Sequence, residues 1–274
     1  MLKRTVTAII AITLFIPICC FSDTFIYPLA FTVLSVISVY EMLRCIGTMS
    51  PAIAIPSYIF AAALPLITVL CNDNVIPLEI ASCLLYLLVM LTVNVFSRGK
   101  FDYTQTASVF MSVFYLATAF ASIVFLRTTG KYLYLLVFIG PWVSDIFAYL
   151  FGRLFGRHKL IPEVSPHKTV EGSIAGILFA TLAFVGYGLV IKRFFDPTVH
   201  PHMLVMALAG AFIAVISQIG DLTASVIKRR YNVKDFGWIL PGHGGIIDRF
   251  DSVLLTAPFL YILTQIPFLS GMLL

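Results

Sequence analysis

Long apolar runs joined by short polar connections dominate this chain. Nine of them fall close to Val6–Phe21, Phe25–Leu43, Ala52–Leu70, Val75–Phe96, Thr106–Leu126, Tyr132–Phe151, Ser173–Ile191, Met203–Ile227 and Ser252–Leu269. Each approaches the roughly 20 apolar residues that a helix needs to cross a hydrocarbon core. The runs are continuously apolar, whereas strands of a membrane barrel alternate over about ten residues, so the pattern predicts helices. The expected fold class is an all-α polytopic membrane protein with about nine transmembrane helices. The first run follows Lys3 and Arg4 in the manner of a signal peptide. No small-x-small cleavage site precedes Cys19 and Cys20, so a retained first helix is expected.

Composition agrees with this class. Hydrophobic residues make up 60% of the 274 positions, charged residues 11%, and the mean hydropathy is +1.00. A soluble domain has roughly 45–50% and 25%. No sizeable soluble domain fits between the runs. Cys19, Cys20, Cys45, Cys71 and Cys83 form no CxxC pair and show no metal-ligand spacing with histidine, so they read as structural thiols.

Segments rich in Lys and Arg resist translocation. Fourteen of the 18 basic residues fall on the side of the N-terminus, which places the N-terminus in the cytoplasm and the C-terminus on the opposite side. Both long polar loops, Gly152–Gly172 and Lys228–Ile247, then face the cytoplasm. The formal excess of +5 sits where anionic headgroups or nucleotide phosphates are met, and no nucleic-acid partner is expected.

Polar residues inside apolar runs are costly in lipid and mark cavities or partners. Gln218, Asp221, Ser225 and Lys228 recur at helical spacing and form one polar stripe. Ser144, Asp145 and Tyr149 interrupt the sixth run, Asp145 about two turns in from the polar loop. Glu41 and Glu79 lie nearer run ends, where snorkelling or hydration accounts for them, and neither is assigned a role. In the first loop Ser165 and Pro166 read as a turn into a helix, while Ser165, His167, Lys168 and Thr169 offer donors suited to phosphate. Gly172 and Gly176 form a small-xxx-small pair that lets another helix approach.

The window Ser225–Ser252 concentrates charge, with five of the basic and three of the acidic residues. His243, Gly244 and Gly245 lie in a glycine-rich turn whose backbone N–H groups can converge on an anion, directly before a helix start. Asp248 and Asp251 follow one helical turn apart, with Arg249 between them. Carboxylates beside a phosphate nest are natural ligands for Mg²⁺.

Ser225-x-Ile227-Lys228-Arg229, then Lys234-Asp235-x-Gly237, then Leu240-Pro241-x-His243-Gly244-Gly245-Ile246-x-Asp248-Arg249-Phe250-Asp251 resembles the full signature of the phosphatidate cytidylyltransferases, the CDP-diacylglycerol synthases. The resemblance extends to Gly220-Asp221-Leu222 and to Ser165-Pro166-x-Lys168-Thr169-x-Glu171-Gly172. It divides the chain into residues 1–130, a membrane scaffold of about five spans, and residues 131–274, the catalytic region with both loops. It implies a reaction of CTP with phosphatidic acid that requires Mg²⁺, with a second cation left open. It favours Asp221 and Asp248 as the metal ligands; Asp251 either completes that shell or orients Arg249, and Asp145 is either a further ligand or a partner of Lys228. Lys168, Lys228 and Arg229 become ligands of phosphate, and His243, Gly244 and Gly245 the nest. A homodimer in a bacterial cytoplasmic membrane is the expected setting. A CTP-dependent polyprenol or phytol kinase shares the cofactor but matches the signature only loosely. An ion-coupled transporter would need polar residues leading to the other membrane face, and here they cluster at one.

Overall fold

The computed structural model describes residues 13, 15–70, 75–97, 99–240, 242, 244–266, 271 and 273. From Ile26 on, the described residues form, in order, α1 (Ile26–Ile46), α2 (Pro51–Leu70), α3 (Val75–Phe96), α4 (Tyr103–Thr129), α5 (Leu133–Phe155), α6 (Val170–Val190), α7 (Met203–Arg230) and α8 (Ile247–Gln265). A π-helical turn, Ile191–Phe195, continues α6. Among the described residues seven helices, α1 to α7, are long and apolar enough to span a membrane. The protein is an all-α polytopic membrane protein. The second to ninth apolar runs correspond to α1–α8, whereas residues 6–12 and 14 of the first run, and residues 267–269 of the ninth, lie outside the described residues. Large apolar side chains such as Ile59, Leu85 and Met111 are 64%, 62% and 74% exposed, as expected of surfaces that meet lipid.

Local chemistry sets the helix ends. Gly47 adopts φ 79°, and its N–H turns back to the carbonyls of Arg44 and Leu43 to close α1. Thr169 is extended, and its hydroxyl oxygen accepts from the Gly172 N–H to start α6.

The chain forms two compact units, Met1–Phe125 with Tyr231–Phe250, and Leu126–Arg230 with Asp251–Leu274. In the first, Phe31 lies 4.7 Å from Tyr27 and 6.4 Å from Phe120, and Phe120 meets Phe250 at 5.6 Å. Phe60 of α2 stacks on Tyr86 of α3 at 4.4 Å, and the Tyr86 and Ser57 hydroxyls share a hydrogen bond of 3.0 Å.

In the second unit α5, α6 and α7 pack on one another, and glycines set how closely. A Cβ on Gly172 would lie 2.4 Å from the Ala148 carbonyl oxygen, and one on Gly176 would lie 2.8 Å from the Ser144 hydroxyl. The helix admitted by this small-xxx-small pair is therefore α5. Above the contact Phe147 and Phe179 stack at 3.7 Å, with ring planes 5° apart.

Between α5 and α6 the chain makes a two-stranded antiparallel hairpin, β1 (Lys159–Ile161) and β2 (Ser165–Thr169). This corrects the expected turn into a helix at Ser165–Pro166, since Ser165 pairs with Ile161 and the helix begins only after Thr169. Proline lacks an N–H to give, and a two-stranded ribbon, all edge, accommodates it.

Because the atom that meets Gly172 is backbone, no side chain can swing aside. Gly172→Ala is expected to destabilise the protein by about 1–3 kcal/mol, read as a lowered melting temperature in detergent. An unchanged melting temperature would contradict the close approach of α5 and α6.

Candidate functional site

A pocket of about 520 Å³ opens in the second unit between α5, the hairpin, the start of α6 and α7. Asp145 of α5, Lys168 of β2 and Asp221 of α7 line it. Lys168 Nζ lies 2.6 Å from Asp221 Oδ2, with side chains 25% and 28% exposed. The Nζ atom itself is buried and, beyond this ion pair, has no acceptor in hydrogen-bonding geometry among the described residues. An ammonium group has three donors. A phosphate oxygen entering the pocket could take those left over.

Around this pair stand two further carboxylates. The Ser252 hydroxyl donates to Asp145, whose charge also interacts with Asp221 and Lys168. Asp251 Oδ1 accepts the Ser252 N–H at 2.8 Å, and its carboxylate interacts with Asp221, Lys228 and Asp145. Three helices thus bring Asp145, Asp221 and Asp251 into one electrostatic cluster, with Lys168 and Lys228 as its cations. Among the described residues no group of three His, Cys, Asp or Glu is arranged to hold a metal alone. Mg²⁺ does not need one, because it binds through one or two carboxylates together with substrate phosphates and water.

Gln218 holds the pocket walls together. Its Oε1 accepts from the Ser173 hydroxyl, and its amide nitrogen donates to the Ser173 carbonyl at 3.1 Å and to the Ser144 hydroxyl at 3.4 Å. Glu171 anchors the approach to the hairpin by accepting the N–H groups of Arg157 and His158 at 3.1 Å and 3.2 Å, and it lies 2.7 Å from the His158 ring. Thr169, expected among the phosphate donors, is 7% exposed and serves as the cap of α6. Ser165 is half-buried in the hairpin, and Arg229 is exposed at the end of α7.

The signature loop belongs to the first unit, and the N–H groups of Phe236, Gly245, Ile246 and Ile247 in it and at its end meet anions. The anions are the protein's own. Asp248 Oδ2 accepts from Phe236 at 2.8 Å and from Gly245 at 2.9 Å, while the two oxygens of Glu41 accept from Ile246 at 3.0 Å and Ile247 at 3.1 Å. The Gly245 N–H expected to receive a substrate phosphate is thus already taken by Asp248. Gly244 adopts φ +82° and forms a short bridge with Leu240, and Arg249 is exposed. His243 lies outside the described residues. Glu41 is 1% exposed, so snorkelling does not account for it. The signal was a carboxylate inside an apolar run, which has to be partnered. The favoured metal pair is divided between units, Asp221 in the second and Asp248 in the first.

The family model described as the cytidylyltransferase family matches residues 2–267. The chain belongs to the cytidylyltransferase family. Among similar proteins, the phosphatidate cytidylyltransferase of Staphylococcus haemolyticus is 36% identical over 262 residues, covering 95% of this chain and 97% of that protein. Those of Staphylococcus epidermidis and Staphylococcus aureus are 37% identical over 263 residues and 34% over 270, with the same coverage. As a member of this family the protein is an integral membrane nucleotidyltransferase, and the cluster of carboxylates and lysines lies in the second unit of a cytidylyltransferase.

Replacing Gln218 by leucine removes its three contacts with α5 and α6 from this cytidylyltransferase. Hydrogen bonds between membrane helices are worth about 1–2 kcal/mol at most in model systems. Gln218→Leu is therefore expected to lower thermal stability in detergent by about that much. A melting temperature equal to that of the wild type would show that the network does not hold the pocket walls.

Proposed function

We propose that this chain is a phosphatidate cytidylyltransferase that transfers the cytidylyl group of CTP to phosphatidic acid and releases pyrophosphate. The observation that carries the reading is the complete signature from Ser225 to Asp251 in a chain whose full-length relatives bear that name. The pocket adds chemical support, because a lysine with donors to spare stands among carboxylates on helices that would meet both a lipid and the aqueous phase.

The bond that forms joins a phosphate oxygen of phosphatidic acid to the α-phosphorus of CTP, and the bond that breaks is the bridge to the β-phosphate. The nucleophile is already anionic at neutral pH, so no strong general base is required. Repulsion between phosphates and charge on the departing pyrophosphate make up most of the barrier, and fixed cations offset both. Lys168 is suited to bind phosphate because it stands at the pocket wall with unfilled donors. Lys228 and Arg229 extend the positive charge at the end of α7, and exposed Arg249 is available to an incoming anion.

Mg²⁺ is the cofactor of this proposal, held by Asp221 and Asp248 with Asp145 and Asp251 as additional ligands, and a second cation would further balance the cluster. When bound, it would neutralise the triphosphate and stabilise the leaving group. The repulsion among Asp145, Asp221 and Asp251 would be relieved by a cation that one or two of them hold together with substrate phosphates. The reading is completed by a homodimer in a bacterial cytoplasmic membrane, with the site open to the cytoplasm.

Purified protein is incubated with phosphatidic acid, Mg²⁺ and CTP labelled separately at the α- and γ-phosphates. Label from the α-phosphate is expected in lipid, with pyrophosphate released. Transfer of the γ-label to a polyprenol would replace the proposal with a lipid kinase, and no labelled lipid from folded protein would end it. Asp221→Asn and Asp248→Asn should each lower kcat by about 10²–10³-fold and shift the Mg²⁺ titration. Wild-type turnover and metal dependence in both folded variants would remove these residues from the metal site.

A further inference from the structure

Glu41 is carried by α1, far in sequence from the signature loop, with separations of 205 and 206 residues to its two backbone donors. Those donors, Ile246 and Ile247, lie at the start of α8, whose unsatisfied N–H groups call for an acceptor. Asp248 takes two more loop N–H groups, those of Phe236 and Gly245, and its charge interacts with that of Glu41. The two carboxylates together hold four backbone donors of the loop.

Two glycines of the signature are shaped to this insertion. A Cβ on Gly237 would lie 2.1 Å from Glu41 Oε1, and one on Gly245 would lie 2.4 Å from both carboxylate oxygens. Neither glycine is among those with positive φ, so its backbone would accept alanine. The obstacle at both positions is the Glu41 side chain.

We propose that Glu41 is a positioning residue for cytidylyl transfer. Its carboxylate fixes the Ile246 and Ile247 backbone at the first turn of α8, and through it sets the orientation of Asp248. It touches no reacting atom. The inference rests on the cytidylyltransferase reading for its effect on rate, while its effect on the loop backbone can be measured without any activity.

The test uses the full-length protein in detergent with Glu41→Gln, which keeps the length of the side chain. A carboxamide has one acceptor oxygen and sets an NH₂ group against the second N–H. Turnover per folded molecule is expected to fall about 10–100-fold, as for other residues that orient ligands. The half-saturating Mg²⁺ concentration should rise, the KM for phosphatidic acid should stay at the wild-type value, and the Ile246 and Ile247 amides should exchange with deuterium faster. A rescue pair gives independent support. Gly245→Ala alone should lose activity, and adding Glu41→Asp, which draws the carboxylate back by one methylene, should restore part of it.

Wild-type kcat and metal dependence in Glu41→Gln would overturn the proposal. So would an activity loss matched by loss of folded protein, with kcat per folded molecule unchanged, because that outcome describes stability alone. If the wild type itself labelled no lipid, the cytidylyltransferase reading would fail separately. Amide exchange would then decide whether Glu41 holds the loop, and unchanged exchange would overturn that too.

Discussion

A carboxylate on a membrane-spanning helix has little water to solvate it and must find its compensation within the protein. This chain compensates its carboxylates in two ways. Asp221 and Asp251 face the cationic side chains of Lys168 and Lys228, whereas Glu41 and Asp248 are met by backbone N–H groups. The difference matters for what each can do. A lysine can give up a carboxylate for an incoming phosphate, with the freed carboxylate turning to a cation. Backbone donors at a helix start cannot leave without unwinding the turn. The lysine-paired carboxylates belong to a site that exchanges partners, whereas Glu41, held by the N–H groups at the start of α8, belongs to a frame that must not.

Close helix packing is what brings the exchanging groups together. Gly152 and Gly156 near the end of α5 would each place a Cβ within 3 Å of Thr169, at 2.8 Å and 2.7 Å. A larger residue at Gly152 would push the base of the hairpin away from α5, and one at Gly156 would first meet the Gly152 carbonyl oxygen. The hairpin carries Lys168 one residue before the cap of α6, so the contact that starts the helix also sets where the ammonium group stands. Gln218 then joins α7 to the same pair of helices, and α7 brings Asp221.

The helices were the most legible part of the chain because burial in hydrocarbon is read along one dimension. Val75–Phe96 is the same in the apolar pattern and in α3, and Ala52–Leu70 differs from α2 by one residue. The stripe of Gln218, Asp221 and Lys228 was legible as one face, since helical spacing fixes direction. What lies opposite a face is set by tertiary packing, so the bonds of Gln218 to Ser144 and Ser173 were not visible. The hairpin is not legible in the sequence because its strands are three and five residues long and one contains proline. The partners of Glu41 are hidden for the same reason as those of Gln218, on a larger scale. Its surroundings suggested a solvated end of a span, and its partners lie more than 200 residues away.

That separation has a consequence in time. Chains are synthesised at about 5–20 residues per second, so the 205 residues between Glu41 and Ile246 take roughly 10–40 s to emerge. For that whole interval α1 exists with its carboxylate and without the helix end that receives it. A nascent intermediate must therefore shelter one acidic group near water or against the insertion machinery, and α1 can settle into its final place only when nearly the last helix has been made.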